Sequence, residues 1–250
     1  MSNSKSNTKP MAELLYSDEY DDSKFIAETK DYILVRGGDG TLLKAINMYA
    51  FKKKQFYGIA GGTMNFLMND GLELKPVDGF KVKTFTRIKV KVEYMDRENP
   101  ELVGNHMSYR KEETFQAFND ICIGGSDGMN SWIDFGVKEK DELFGDFKGG
   151  GLIISTPQGS TGINKTNGGS ILPLSSTLWS ITGDKTTKRI DYVIKPRKTV
   201  ITPTARNSVM VWVDGANHIL DNVTKVTVSK GDEVKVIFND YNSFKRKRRK

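Results

Sequence analysis

The chain has 250 residues, of which 37% are hydrophobic and 28% charged, with a net charge of +7 and one cysteine. That length makes one large domain or two small ones and buries a substantial core. A lone cysteine excludes an internal disulfide and a multi-cysteine metal site, no apolar run reaches the length of a membrane span, and residues 1–10 carry no signal-peptide stretch. A cytoplasmic protein that contacts no membrane is the expectation. Lys245, Arg246, Lys247, Arg248, Arg249 and Lys250 set six positive charges against the net of +7, so the basicity describes a tail, residues 239–250, rather than a folded surface. Such a tail is a disordered terminus, a segment packed back on the N-terminal domain, or a contact for nucleic acid or polyphosphate.

In chain order, residues 1–29 are polar, with a helix start expected at 24–27. Residues 31–36 form an apolar run typical of a buried parallel strand. Gly37-Gly38-Asp39-Gly40 breaks it, and Leu42, Ala45, Ile46 and Tyr49 then recur at helical spacing. A second strand at 55–60 completes a β-α-β unit. From Thr84 the pattern changes to strict alternation over 87–94 and to short strand-like runs at 114–124, 132–137, 151–155, 191–194, 199–202, 209–213, 223–228 and 233–238. The reading is an α/β N-terminal domain, residues 1–82, followed by a β-rich, sandwich-like C-terminal domain, residues 83–238.

Two segments carry chemistry. Gly37-Gly38-Asp39-Gly40-Thr41 joins a strand to a helix. Glycines let backbone approach a ligand, and the free N–H groups of a helix start suit a phosphate. The same tetrapeptide also suits a plain tight turn. An aspartate beside phosphate is electrostatically costly unless a cation or a transferable proton intervenes, and a kinase supplies both. The second segment is Ser155-Thr156-Pro157-Gln158-Gly159-Ser160-Thr161, which crowds four hydroxyls around one bend and can hold ribose or phosphate oxygens. His106 and His218 lie in polar stretches and no nucleophile elbow accompanies them, which disfavours a hydrolase triad. Cys122 reads as a small buried hydrophobe.

These motifs, with Gly58-Ile-Ala-Gly-Gly-Thr-Met-Asn-Phe-Leu67, Asn119-Asp120 and Val213-Asp214-Gly215, resemble the NAD kinase family from about residue 31 to 239. The resemblance implies transfer of the γ-phosphate of ATP, or of phosphate from polyphosphate, to the adenosine 2′-hydroxyl of NAD. It also implies Mg2+ or another divalent metal, and a homodimer or homotetramer. Residue by residue, it implies Asp39 as the catalytic base and a possible metal contact, direct or through water. Gly37, Gly38, Gly40 and Thr41 then bind ATP phosphates. Phe66, Asn119, Asp120, Lys148, Gly150, Thr156, Ser160, Thr161, Gly162, Ile163, Asn164, Lys165 and Thr166 surround NAD.

The chain departs from the family pattern on the acceptor side. Asp120 stands for a glutamate, Gly150 for an aspartate, Gly162-Ile163 for Ala-Tyr, and Lys148 for a frequent arginine. Two alternatives stay open at this level. One is a lipid kinase of the diacylglycerol or sphingosine type, which shares the Gly-Gly-Asp-Gly turn. The other is a catalytically weak dinucleotide-binding regulator.

Overall fold

The computed structural model describes residues 13–16, 24–61, 65–96, 109–125, 132–139, 142–206, 208–215 and 218–242. The basic residues from 243 onward, the acidic stretch 18–22, Gly62 to Met64 of the second glycine turn, and His106 lie outside them. The chain divides into two compact units, residues 1–84 with 234–250, and residues 85–233.

The first unit is built on β1 (Glu13–Tyr16), β2 (Phe25–Glu28), β3 (Tyr32–Gly37), α1 (Asp39–Tyr49) and β4 (Gln55–Ala60). β3 and β4 pair in parallel, and β1 and β2 add antiparallel strands at one edge. Residues 24–27, expected to begin a helix, are strand instead: Phe25 to Glu28 pair with Arg36 to Ile33 of β3, and that tertiary pairing overrides local preference. Ile33, Leu34 and Val35 are all buried, as a strand covered on both faces requires. Leu42, Ala45 and Ile46 of α1 are also buried, the face their helical spacing marks out.

The second unit contains β5 (Lys81–Asp96, from Phe85 on), β6 (Tyr109–Ala117), β7 (Asp120–Gly125), β8 (Ile133–Glu139), β9 (Glu142–Gly149), β10 (Gly151–Ser155), a one-turn helix α2 (Ile163–Thr166), β11 (Trp179–Asp184), β12 (Asp191–Ile194), β13 (Thr199–Ala205), β14 (Val209–Val213), β15 (His218–Leu220) and most of β16 (Val223–Phe238). Six strands form an antiparallel sheet in the order β12-β11-β10-β7-β14-β15. A second layer runs β16-β13-β8-β9, with β5 and β6 paired beside β16. Ile121, Ile123, Leu152 and Ile154 of the first layer share one core with Ile88, Val90, Phe135 and Ile201 of the second, a sandwich of two sheets.

The second unit ends before the sequence reading placed its boundary. Residues 234–238 belong to the first unit, because Val236 and Ile237 of β16 pair in parallel with Phe56 and Tyr57 of β4. Buried Asn69 reinforces that seam. Its Nδ2 donates to Gly58 O at 2.8 Å and to Ile237 O at 2.9 Å, and its Oδ1 accepts from Asn239 N at 2.7 Å.

Candidate functional site

The glycine turn of the first unit is tightly specified. Gly37 has φ +147°, and a Cβ there would meet the Thr41 hydroxyl oxygen at 2.4 Å, so only glycine fits. Gly38 is the N-cap of α1 and Asp39 its first helical residue, so the helix starts three residues before the expected Leu42. The Asp39 carboxylate accepts from Phe66 N at 2.8 Å through Oδ2 and from Leu67 N at 2.7 Å through Oδ1. It thereby pins residues 65–67 to the helix start, and the helix dipole favours its charge. A Cβ added at Gly40 would touch nothing within 4 Å, so the approach to the start of α1 is open. Phe66 belongs to this unit and is held through its backbone by Asp39.

In the second unit the bend after β10 is knotted by its own side chains. Thr156 Oγ1 lies 2.8 Å from Phe118 O and 2.9 Å from Asn119 O, and accepts from Gly159 N at 3.2 Å. Ser160 Oγ donates to Pro157 O at 2.8 Å and accepts from Leu172 N at 2.9 Å. Asn164 donates to Ser160 O and Ser170 O and accepts from Ser180 and Thr182 hydroxyls. All three side chains are fully buried. Of the residues the resemblance assigns to NAD, these three form the scaffold of the bend, while Thr161, Gly162, Ile163, Lys165 and Thr166 lie on its accessible side. A Cβ on Gly159 would fall 2.2 Å from Asn119 O, so the bend presses directly on the Asn119-Asp120 backbone.

Three polar groups beside that contact have no partner among the described residues. The Asn119 side-chain oxygen and the Ser155 hydroxyl are buried and unbonded. Asp120, whose backbone pairs in register with Ser155, is 7% exposed, and its carboxyl makes no hydrogen bond. Burial, and then the charge of Asp214, push the Asp120 carboxyl up to about 7. Asp214 is committed to the backbone, accepting from Phe118 N at 2.8 Å, Asn119 N at 2.7 Å and Asp120 N at 3.3 Å. Ser155 counts among the hydroxyls of the bend and Asp214 lies within the Val213-Asp214-Gly215 motif, but neither is among the residues assigned to NAD. Nothing in the motif distinguishes Ser155 from its neighbouring hydroxyls, and Asp214 is separated from its partners by some 95 positions of chain.

Asp120 makes stability pH-dependent with a defined sign. Its folded pKa near 7 lies above the model-compound value of 3.8. Between those limits the native state binds more protons than the unfolded state, so rising pH removes stability over that window. Urea midpoints measured from pH 5 to 8 will fall less steeply with pH in Asp120→Asn than in the unaltered protein. Equal slopes would show that Asp120 ionises freely in the fold.

Lys148 is not brought to this group. Its side chain is exposed, lies 3.6 Å from Asp134, and lines a different cavity, of about 710 Å3, with Asp146, Lys188 and Arg189. Gly150 and Ile163 line a cavity of about 500 Å3 on the outward face of the six-stranded sheet, together with Cys122 and Trp212. Among the tryptophans, Trp179 is core, Trp132 is exposed and Trp212 forms a wall of this cavity.

The NAD kinase of Staphylococcus carnosus is 32% identical over 162 residues, covering 60% of this chain and 55% of the relative. NAD kinase 1 of Oceanobacillus iheyensis is 34% identical over 149 residues, 58% and 52% of the two chains. These alignments span about half the length of those relatives. The NAD kinase of Streptococcus thermophilus is 28% identical over 260 aligned positions, 95% of this chain and 86% of the relative. The chain is similar in sequence to NAD kinases over most of its length. No family model matches it. The fold of the NAD kinases is shared as well. The Archaeoglobus fulgidus NAD kinase in complex with ATP aligns with a TM-score of 0.66 at 20% identity over 87% of this chain and 80% of that one. Yeast NADH kinase complexed with NADH aligns with a TM-score of 0.68 at 19% identity, over 88% and 64%. Among the described residues no helix is long and apolar enough to cross a membrane.

Proposed function

We propose that this NAD kinase relative phosphorylates the adenosine 2′-hydroxyl of NAD with ATP, forming NADP. The observation that carries the reading is the group formed by Asn119, Asp120 and Ser155. Buried polar atoms are almost always bonded, and here an amide oxygen, a carboxyl and a hydroxyl stand unpartnered at one sheet end. A ribose or an adenine edge offers the hydroxyl and N–H groups that would satisfy them. The donor phosphates lie against the start of α1, where Gly37, Gly38 and Gly40 leave the backbone bare and Thr41 offers a hydroxyl. Asp39 accepts the 2′-hydroxyl proton as the phosphoryl group arrives in line, and its two amide bonds hold the carboxylate in one orientation for that task.

Among the described residues no three His, Cys, Asp or Glu side chains cluster as a metal cage. A divalent ion, when bound, would be held with Asp39, the carboxylate of the glycine turn, and with the donor phosphates. Such an ion neutralises charge on the transferring phosphoryl group. The reading carries with it a cytoplasmic homodimer or homotetramer, with polyphosphate as a second possible donor class.

The test is one assay with purified protein, Mg2+, ATP and NAD, in which NADP is read by an NADP-specific dehydrogenase. NADP formation is the expected outcome. Phosphorylation of a diacylglycerol or sphingosine acceptor in its place would overturn the reading in favour of a lipid kinase. NAD binding with no product from any acceptor would leave a dinucleotide-binding regulator.

A further inference from the structure

The outward face of the six-stranded sheet carries a continuous row of positions. Along β7 it runs Asp120, Cys122, Gly124, and along β10 it runs Ser155, Ile153, Gly151, because alternate residues share a face. At one end stand the unpartnered groups of Asp120 and Ser155. At the other lies the cavity of about 500 Å3, floored by glycine backbone and walled by Ile153, Ile163 and Trp212. A Cβ on Gly151 would come within 2.8 Å of Ile123 O, and one on Gly124 within 3.3 Å of the Trp212 ring. The floor is bare peptide under an aromatic wall, a surface suited to a flat ring.

One carboxylate enters this cavity. Asp184, at the end of β11, is half-buried, and its side chain makes no hydrogen bond or ion pair among the described residues. It lies across the strand pair from Gly151, and Gly150 N donates to Asp184 O at 3.0 Å. A Cβ built on Gly150 would stand 3.6 Å from Asp184 Oδ2 and 3.3 Å from Asp184 O. The Asp184 carboxylate thus lies within van der Waals contact of the position that a Cβ on residue 150 would take. The next residue, Lys185, holds a left-handed φ of 48°, so the chain turns sharply here at some conformational cost.

We propose that Asp184 is the acceptor-side specificity residue of this chain: it supplies from β11 the carboxylate that the family pattern places at residue 150, and it receives the hydroxyl and amide N–H donors of the second nucleoside of the dinucleotide. The proposal rests on the NAD reading above. The departure at Gly150 is then a relocation of charge by one strand rather than a loss, because the Asp184 carboxylate stands beside residue 150. A carboxylate against an apolar wall accepts such donors strongly, because water competes poorly there.

The experiment compares the unaltered protein with Asp184→Asn and Asp184→Glu, titrating NAD and AMP separately by calorimetry and measuring KM for NAD and for ATP. Asp184→Asn is expected to weaken NAD binding and raise its KM by roughly tenfold, the loss of one charge-assisted hydrogen bond. AMP affinity, the KM for ATP and kcat stay within about twofold, and Asp184→Glu recovers most of the NAD affinity. Unchanged NAD affinity in Asp184→Asn overturns the proposal. So does an equal loss for AMP and NAD, which marks a structural role. If the unaltered protein binds NAD but forms no NADP, the catalytic reading fails while the calorimetric comparison still decides the role of Asp184. If it binds no NAD, both fall.

Discussion

Replacing Asp39 with asparagine will lower the rate of NADP formation by about a hundredfold or more, with NAD affinity retained. The proton of the acceptor hydroxyl needs a base, and an amide is none. The structure adds a second consequence. Both carboxylate oxygens accept backbone N–H groups, from Phe66 at 2.8 Å and Leu67 at 2.7 Å. Asparagine offers one oxygen, so its NH2 group would face an N–H. Leaving that donor unsatisfied costs about 1–3 kcal/mol and loosens residues 65–67. Rate and stability must therefore be read together. A thermal melt reports the loosened turn, and calorimetry with NAD reports the proposed acceptor group, whose Asn119, Asp120 and Thr161 lie in the second unit. Lost turnover with intact NAD binding is the expected pair. Near-normal turnover would remove Asp39 from the chemistry and leave it as a loop anchor alone.

Asp214→Ala will be among the most damaging single changes in the second unit. This carboxylate accepts three consecutive amides, those of Phe118, Asn119 and Asp120, and is 3% exposed. Alanine leaves those N–H groups buried without partners, at a cost of about 3 kcal/mol or more. It also adds a left-handed alanine, since residue 214 has φ 50°. Asp214→Asn keeps the shape and part of the bonding, and loses less. Because the Asp214 charge helps raise the Asp120 carboxyl, either change also moves Asp120 back toward the ordinary carboxylate range. A urea denaturation series on both variants, with a proton titration of Asp120, checks the claim. Stability within a few tenths of a kcal/mol of the unaltered protein, set against the cost of unsatisfied buried N–H groups, would mean that water or a shifted backbone replaces the carboxylate.

How much of this was legible beforehand follows from how local each cause is. The glycine turn and the hydroxyl bend announce themselves within a few residues, because glycine and crowded hydroxyls mark a backbone made for contact. The helical spacing of apolar residues begins at Leu42, three residues after α1 starts, and Gly38 caps the helix without a side chain and leaves no capping signature. Residues 114–124 read as one strand, yet the pairing breaks at Phe118 and Asn119. Their amides are captured by Asp214 from far along the chain, which no window on the sequence can show. Residues 223–228 and 233–238 read as two strands separated by Gly231-Asp232, a turn-like pair. They are one strand, because Gly231 lies against Gln116 and the Arg87 backbone, and Asp232 pairs with Arg87. Thr156, Ser160 and Asn164 looked like ligand contacts because residue type does not reveal whether a polar atom faces inward. Asp184 was missed for the converse reason, since a single aspartate at a strand end carries no pattern.

The seam between β4 and the last residues of β16 has a consequence for biosynthesis. Val236 and Ile237, both buried, are made after all of the second unit, yet they complete the sheet on which the glycine turn stands. Domains ordinarily mature on the ribosome in the order in which they emerge. Here the first unit stays unfinished until the second has been synthesised, and a chain released before residue 234 lacks the strand that closes it. The sheet that carries the glycine turn is thus completed only in polypeptides that already contain the whole second unit.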